Sequence, residues 1–257
     1  MSGTHYFPLV LSLVATAYGV TGQSPLPKIA LLVVFQQNHS HPSMPMSNIY
    51  SIDGIVPVVD PAAFVHPTAV LIGDVIIGPG CYIGPGASLR GDMGRIVIEA
   101  GSNLQDNCVV HTYPNMEATV ESGGHIGHGA ILHGCRIGKN AMIGMNAVVM
   151  DEVEIGECSL VAALSFVKAG MFVPPRMLVA GIPGRLVREL TEEEVATKTK
   201  GTGIYQTLAK RSLASMRACE PLPQAEPNRR RFQLPRYDPP AKEIHDIFAS
   251  SGGYRQI

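Results

Sequence analysis

Three of the nine histidines, His111, His128 and His133, lie close together in the chain and are the residues best suited to carry chemistry. Neutral imidazole is the commonest metal ligand in proteins. Three imidazoles that leave coordination positions open to water are typical of a catalytic rather than a structural metal site. A metal held in this way lowers the pKa of a bound water to about 7. These residues predict a centre for hydrolysis or hydration, with Zn²⁺ as the expected metal and Fe²⁺ or Co²⁺ suited to the same ligands.

An aliphatic residue recurs every six positions over residues 56–185, and this repeat must position the histidines. A period of six matches neither a helix face nor an alternating strand, whereas a short strand followed by a corner accounts for it. The aliphatic members of the repeat are Val65, Leu71, Ile77, Ile83, Leu89, Ile98, Leu104, Val110, Ile126, Leu132, Ile137, Ile143, Val149, Ile155, Val161 and Val167. The pattern resembles the hexapeptide repeat and predicts an all-β left-handed parallel β-helix with C-terminal α-helices packed outside.

Three hexads complete one triangular coil, so residues three hexads apart stack on successive coils at about 5 Å per coil. Once the insertions are removed, this places Arg90, His111 and His133 in one corner column. His128 precedes His133 by five residues, which can span up to ~16 Å when extended, whereas Zn–N bonds measure only ~2.0–2.1 Å. We therefore expect His128 to reach the metal of a neighbouring chain, an arrangement that a cyclic homotrimer repeats at each of its interfaces.

Three polar residues at or beside the corners are candidates for supporting the metal centre. These are Asp92, Gln105 and Asp106. Metal-bound histidines need acceptors that fix their tautomers, and a reacting water needs side chains that orient it. We assign Gln105 and Asp106 to the catalytic centre. Arg90 and Asp92 have a second interpretation as an inter-subunit salt bridge, which we favour for Arg90 because a metal dication repels a neighbouring cation.

The composition of the chain changes at both ends of the repeat. The first 46 residues contain one charged residue, Lys28. The apolar stretch over residues 7–20 is shorter than the ~20 residues that span a bilayer, and no basic residue precedes it as in a signal peptide. We favour a chain start near Met46 over a targeting segment. The predicted segments are an atypical extension (1–46), the β-helix domain (47–187), C-terminal helices (188–219) and a Pro-rich tail (220–257).

Two helices are predicted after the repeat. Thr191 followed by Glu194 forms a capping-box pattern that begins the first helix. Gly201 and Gly203 are expected to break it, because glycine is unfavourable inside a helix. Residues 205–218 then form a second amphipathic helix.

Charge and cysteine content exclude several classes of protein. Lys and Arg number 20 against 21 Asp and Glu, a net charge of −1, which argues against nucleic acid as a partner. The five cysteines form no CxxC pair, so neither a disulfide framework nor a cysteine zinc finger is expected. We predict a cytoplasmic protein without a membrane partner, in which the cysteines of the repeat are buried small residues. His125 is interpreted as a turn residue.

Several motifs resemble those of gamma-class carbonic anhydrases. They are Arg90-Gly-Asp92, Leu104-Gln-Asp-Asn-Cys-Val-Val-His111 and His128-Gly-Ala-Ile-Leu-His133-Gly134. Within that family, residues 144–150, 166–170 and 173–176 are similar to the branch of the phenylacetic acid degradation protein PaaY and its relative in the carnitine operon. The resemblance covers residues 49–223. It implies that His111, His128 and His133 are zinc ligands, that Gln105 contacts the metal-bound water, and that Arg90 and Asp92 support a trimer interface.

The sequence departs from the archetypal gamma-class pattern at one position. Where those enzymes carry a proton-shuttling Glu, three residues after the first zinc histidine, this chain has Pro114. Glu117 and Glu121 in the same loop are the alternative candidates for a proton shuttle. The resemblance to PaaY implies hydrolysis of acyl-CoA thioesters in phenylacetic acid catabolism, which we rank ahead of CO2 hydration to bicarbonate. A hexapeptide acyltransferase and a non-catalytic trimeric scaffold are the remaining alternatives.

Overall fold

The structure of the chain is a computed structural model that describes residues 48–234. In that range the chain forms a left-handed parallel β-helix of about seven coils, followed by a single α-helix. The predicted fold class is therefore confirmed. The predicted extension over residues 1–46 and the tail beyond residue 234 lie outside the described residues.

The coils are built from short strands. In chain order these are β1 (Asn48–Tyr50), β2 (Val58–Val59), β3 (Phe64–Val65), β4 (Val70–Ile77), β5 (Tyr82–Ile83), β6 (Ser88–Ile98), β7 (Asn103–Leu104), β8 (Val109–His111), β9 (Glu117–Val120), β10 (His125–Ile126), β11 (Ile131–His133), β12 (Arg136–Ile137), β13 (Met142–Ile143), β14 (Val148–Val149), β15 (Glu154–Ile155), β16 (Leu160–Val161), β17 (Phe166–Val167), β18 (Phe172–Val173), β19 (Met177–Gly181) and β20 (Gly184–Glu189). The pairing is parallel except for the antiparallel hairpin of β19 and β20.

Three strand faces run along the solenoid. The helix-covered face contains β3, β5, β7, β10, β13, β16 and β19. The apolar face contains the first half of β6 with β8, β11, β14 and β17, and the charged face contains the second half of β6 with β9, β12, β15 and β18. Strand β6 joins the last two faces because it continues around a corner.

The aliphatic members of the hexads form the core, as predicted. Leu104 pairs in register with Ile126 on the next coil, and Ile126 pairs with Ile143, all of them fully buried. Small residues fill the space beside them, among them Cys81 and Cys108. Burial raises the pKa of both thiols to about 11, so they serve as small core residues, in agreement with the sequence prediction.

The helix α1 (Glu192–Ser215) contradicts the prediction of two helices. The predicted capping box is present, but Gly201 and Gly203 do not break the helix. Each glycine costs about 1 kcal/mol relative to alanine. The packing of α1 against β3, β5 and β7, which buries Thr202 and Ala209 of the helix, offsets this cost. No helix in the described range has the length and apolar character that crossing a bilayer requires.

The outward-facing residues differ sharply between the two faces that α1 leaves open. On the apolar face, one register column contains Val109, Ile131, Val148 and Phe166. The equivalent column of the charged face contains polar residues such as Arg136 and Glu154. Val109 and Ile131 are 38% and 39% exposed, so aliphatic side chains lie open to solvent along the apolar face, whereas the column of the charged face combines Arg136 and Glu154 with Phe172, which is 62% exposed.

Candidate active site

His111 and His133 form a pair on successive coils at one corner of the solenoid, with their ring planes tilted by 59°. They occupy matching positions in β8 and β11, and their ring centroids are 5.2 Å apart. Nδ1 of His111 lies 3.2 Å from Nε2 of His133. The corner column expected from the hexads therefore exists, and Arg90 lies beside it with Nη2 3.1 Å from Nε2 of His111.

A carboxylate contacts the outer nitrogen of each ring. Oδ1 of Asp92 lies 3.1 Å from Nε2 of His111, and Oδ1 of Asp151 lies 2.5 Å from Nδ1 of His133. Gly134 is required for the second contact: its φ is +52°, and a Cβ at this position would lie 2.5 Å from Oδ1 of Asp151. Carboxylates placed in this way fix the tautomer of a metal-binding histidine.

These contacts determine what the inner nitrogens can do. When His111 donates from Nε2 to Asp92, and His133 donates from Nδ1 to Asp151, the lone pairs are on Nδ1 of His111 and Nε2 of His133. Their separation is 3.2 Å. Two Zn–N bonds of ~2.0–2.1 Å at a tetrahedral angle place the nitrogens ~3.4 Å apart. The pair therefore fits two ligand positions of a divalent metal.

Arg90 provides an alternative hydrogen-bond arrangement for the same corner. If Arg90 donates to Nε2 of His111, then Nδ1 of His111 donates to His133, and His133 donates to Asp151. This chain of hydrogen bonds is complete without a metal ion and ends in a carboxylate, as in other acid–base sites. It leaves Oδ1 of Asp92 3.1 Å from an Nε2 of His111 that carries no hydrogen. Arg90 also contacts Asp92 of its own chain at 3.6 Å. Their predicted role at a subunit interface stays a prediction.

His128 lies at a different corner, in the turn between β10 and β11. Its Nδ1 is 3.2 Å from Oδ2 of Asp106, and its Nε2 is 3.4 Å from the hydroxyl of Tyr205 on α1. His128 and Asp106 are 45% and 44% exposed. Within one chain, no group of three or more His, Cys, Asp or Glu side chains between residues 48 and 234 is arranged to hold a metal. The structure brings His111 and His133 together and does not bring His128 to them.

The apolar face lies between these two corners. His128 lies in the turn before β11 and His133 ends this strand, so Ile131 lies between a corner that carries one histidine and a corner that carries two.

Gln105 and His125 belong to a buried network beside the His128 corner. Nε2 of Gln105 lies 2.7 Å from Nε2 of His125 and 3.0 Å from Oδ1 of Asn103. Nδ1 of His125 lies 3.4 Å from the hydroxyl of Thr202 on α1. Burial, together with the charge of Lys198, lowers the pKa of His125 to about 4, so the ring is neutral at physiological pH.

This position corrects the interpretation of His125 as a turn residue. It lies in β10, points outward beneath α1 and is only 8% exposed. The hexad pattern places it on a strand beside Ile126, but nothing in the repeat shows that a helix covers this face. Tyr205 was missed for the same reason.

The two predicted proton shuttles have other partners. Oε2 of Glu121 accepts from the backbone amide of Lys139 at 2.8 Å, and its other oxygen pairs with Arg136. Oε1 of Glu117 accepts from the hydroxyl of Thr119 at 2.6 Å. The aromatic side chain nearest the histidine pair is Tyr113, whose ring meets His133 edge-on at 4.8 Å and is exposed.

The sequence of the chain is similar to those of known hexapeptide-repeat proteins. The chain is 54% identical over 184 residues to the carnitine operon protein CaiE of Salmonella agona, covering 72% of this chain and 93% of that protein. The match to CaiE of Escherichia coli K12 is also 54% over 184 residues, with 94% of that protein covered. The bacterial transferase hexapeptide (six repeats) family model matches residues 57–91 and 134–169.

Solved structures show the same solenoid. A Bacillus cereus protein to which acetyltransferase activity has been ascribed superposes with a TM-score of 0.64 at 32% identity, covering 65% of this chain and 99% of that one. A hexapeptide transferase family protein of Anaplasma phagocytophilum gives a TM-score of 0.62 at 37% identity, covering 66% and 99%. The chain belongs to the family of hexapeptide-repeat proteins that includes the carnitine operon protein CaiE.

Proposed function

We propose that this protein is a metal-dependent acyl-CoA thioesterase that acts as a homotrimer, with one active site at each subunit interface. The observation that carries the proposal is the His111–His133 pair. Its inner nitrogens converge at 3.2 Å, and each outer nitrogen has its own carboxylate acceptor. His111 and His133 of one chain, with His128 of the next, would hold the metal, with Zn²⁺ expected and Fe²⁺ or Co²⁺ as alternatives.

The trimer is supported by the exposed apolar column. Burying aliphatic surface contributes roughly 25 cal/mol per Å², so Val109, Ile131 and Val148 favour association through the apolar face. Cyclic packing about this face brings the His128 corner of one chain towards the His111 and His133 corner of its neighbour. This arrangement explains why the three histidines are separated within one chain.

The reaction needs one water and one thioester. The water oxygen forms a bond to the carbonyl carbon, the C–S bond breaks, and the CoA sulfur leaves as a thiol after taking one proton of the water. A bound divalent metal would supply a Lewis acid for the carbonyl and lower the pKa of the water. Asp92 and Asp151 hold the tautomers of the paired histidines, Asp106 orients His128, and Gln105 orients the water.

The acyl-CoA class is supported by the resemblance to PaaY-type sequences and by relatives that are named as transferases. Phenylacetyl-CoA is the first substrate to test. CO2 hydration is ranked lower because it requires rapid proton export, and Glu117 and Glu121 both have hydrogen-bond partners on the protein.

A hexapeptide acyltransferase is the second candidate. It is favoured by the chain of hydrogen bonds from Arg90 through His111 and His133 to Asp151, which is complete without a metal. In that arrangement a histidine acts as general base for an acceptor nucleophile. The two candidates differ in their need for metal and for an acceptor.

The deciding experiment measures metal per chain and phenylacetyl-CoA hydrolysis in the wild type and in His128→Ala. If the protein is the proposed thioesterase, the wild type should bind about one metal per chain. His128→Ala should lose both the metal and the turnover, and adding an acyl acceptor should not restore the turnover. Glu154→Ala, on the charged face, is the control and should retain both. Turnover that persists after chelation and requires an acceptor would establish the acyltransferase instead. A wild type that binds metal but turns over neither the thioester nor CO2 would favour the non-catalytic trimeric scaffold.

A further inference from the structure

Tyr113 presents an exposed aromatic ring beside the His111–His133 pair. The residue is 55% exposed. Its ring forms a T-shaped pair with the ring of His133, with the centroids 4.8 Å apart and the planes at 74°. Such a contact occupies at most one face of the Tyr113 ring, so the opposite face is open to a further apolar or planar group.

The position of the ring follows from the strand that carries His111. Successive side chains of an extended chain point to opposite sides. Val110 and Thr112 are buried in the solenoid, whereas Tyr113 is exposed and lies on the outer side with His111. The ring therefore belongs to the outer surface of the corner at which the two histidines are paired.

The backbone that carries the ring is held against β6. The amide of Asn115 donates to the carbonyl of Met93 at 3.2 Å, and the amide of Met116 donates to the carbonyl of Tyr113 at 3.2 Å. A Cβ on Gly94 would lie only 2.9 Å from the carbonyl oxygen of Tyr113, so this close approach requires a glycine. These contacts fix the backbone of Tyr113 before a substrate binds, which reduces the ordering that binding has to bring about.

We infer that Tyr113 is a specificity-determining residue whose ring packs against an aromatic acyl group of the thioester. This inference rests on the proposed thioesterase function. The reacting carbonyl would lie beside the histidine pair, and the phenyl ring of phenylacetyl-CoA is one methylene away from that carbonyl. Aromatic rings pair favourably with their centroids 4.5–7 Å apart, whereas an acetyl group is too short to make such a contact. The ring of Tyr113 would therefore favour aromatic over small acyl groups.

Acyl selectivity tests the inference. Phenylacetyl-CoA and acetyl-CoA share the CoA group, so the ratio of their kcat/KM values reports on the acyl group alone. Tyr113→Ser should lower this ratio by about 10-fold, with metal content unchanged. Tyr113→Phe keeps the ring and should retain the ratio. Equal losses for both substrates in Tyr113→Ser would overturn the inference. A fall of the ratio in Tyr113→Phe as large as in Tyr113→Ser would do the same, because the hydroxyl would then be responsible.

Tyr50 provides the matched control. It is 54% exposed and lies on the same corner, in register with Ile72, which is in turn in register with Arg90. Coils stack about 4.8 Å apart, so Tyr50 lies three coils from His111. Tyr50→Ser should leave the ratio unchanged, and a fall equal to that of Tyr113→Ser would contradict a local contact with the acyl group. Both variants should also sediment like the wild type. A change of assembly in Tyr113→Ser alone would assign the ring to subunit contacts and overturn the inference.

Binding of phenylacetate gives a second readout that does not depend on turnover. Calorimetric titrations of the full chain in buffer with Zn²⁺ compare phenylacetate with acetate, two carboxylates that differ by the phenyl ring. The wild type should bind phenylacetate more tightly, and Tyr113→Ser should bind the two alike. Equal or absent binding in the wild type would overturn the inference. If the preference is found and depends on Tyr113, but no thioester is hydrolysed, the contact is supported and the proposed function is wrong.

Discussion

Oδ1 of Asp151 lies 2.5 Å from Nδ1 of His133, although the two residues are on successive coils and 18 residues apart in sequence. Asp151 is 13% exposed, so the contact is shielded from solvent. Hydrogen bonds that involve an ionised carboxylate are short and strong under these conditions. The contact leaves Nε2 of His133 without hydrogen and available to a metal or a proton.

Asp151→Asn should weaken the site without disturbing the solenoid. The amide carries no charge and can present NH2 to the ring, which favours the wrong tautomer of His133. We expect metal affinity and kcat/KM to fall by about 10–100-fold. Metal titration and steady-state kinetics measure the two quantities. Glu154→Gln, on the charged face, is the matched control, and an equal loss in that variant would contradict a specific role for Asp151.

Association of subunits through the apolar face can be tested by introducing one charged side chain into that face. Ile131→Glu places a carboxylate in the centre of the apolar column, where it would be buried without a partner in a trimer. We expect the variant to sediment as a monomer and to lose activity while its circular dichroism is retained. Phe172→Glu makes the same kind of change on the charged face and should remain trimeric. Dissociation of the Phe172 variant alone would place the interface on the other face.

If each metal site is shared between two subunits, trimers assembled from two different inactive variants should recover activity. His111→Ala and His128→Ala chains are each expected to be inactive. A trimer that contains both has interfaces where an intact His111 and His133 pair meets an intact His128. Random assembly of cyclic trimers should restore about a quarter of the wild-type activity. The activity of co-refolded chains measures this directly, and the absence of any recovery would show that all the ligands act within one chain.

The hexad pattern was sufficient to predict the core and the His111–His133 column, because inward residues and corner residues repeat with fixed spacing. The same spacing carries a signal for Asp151, which lies one coil beyond His133 at the same corner. The pattern contains no information about which face the helix covers. His125 and Thr202 therefore meet only in the folded structure, through a contact between residues 77 positions apart. Gly201 and Gly203 were misinterpreted because local propensity was weighed without the tertiary packing that overrides it.

The N-terminus of α1 should respond to acid through Glu194. Hydrogen bonds from Arg188, followed by those from Thr191, lower the pKa of Glu194 to about 2. Because this folded-state pKa lies below the unfolded value of about 4.5, the stabilisation is present above pH 4.5 and is lost as the pH falls towards 2. Glu194→Gln should reduce the free energy of unfolding at pH 7 by about 1–2 kcal/mol, and the loss should shrink below pH 4. Urea unfolding at pH 7 and pH 3 measures it, with the exposed neighbour Glu193→Gln as control.

Lys198 of α1 should make the free energy of unfolding depend on pH between neutral and alkaline conditions. Its Nζ donates to the carbonyl of Gly123 at 3.3 Å and to the carbonyl and side-chain oxygens of Asn140 at 2.6 and 2.5 Å. Burial nevertheless lowers its pKa from 10.5 to about 7. Between these values the unfolded chain binds more protons than the folded chain, so the free energy of unfolding rises with pH across this window.

Lys198→Met removes this titration. Relative to the variant, the wild type should gain stability as the pH rises from 7 to 10, which urea midpoints at both pH values measure. Lys210→Met changes an exposed residue of the same helix, and its difference in stability from the wild type should be the same at pH 7 and pH 10. A Lys198 variant whose difference from the wild type is constant with pH would mean that the three oxygen acceptors keep the ammonium charged at every pH in the window. The contact between Lys198 of α1 and Asn140 would then be a buried interaction between an ammonium ion and amide dipoles.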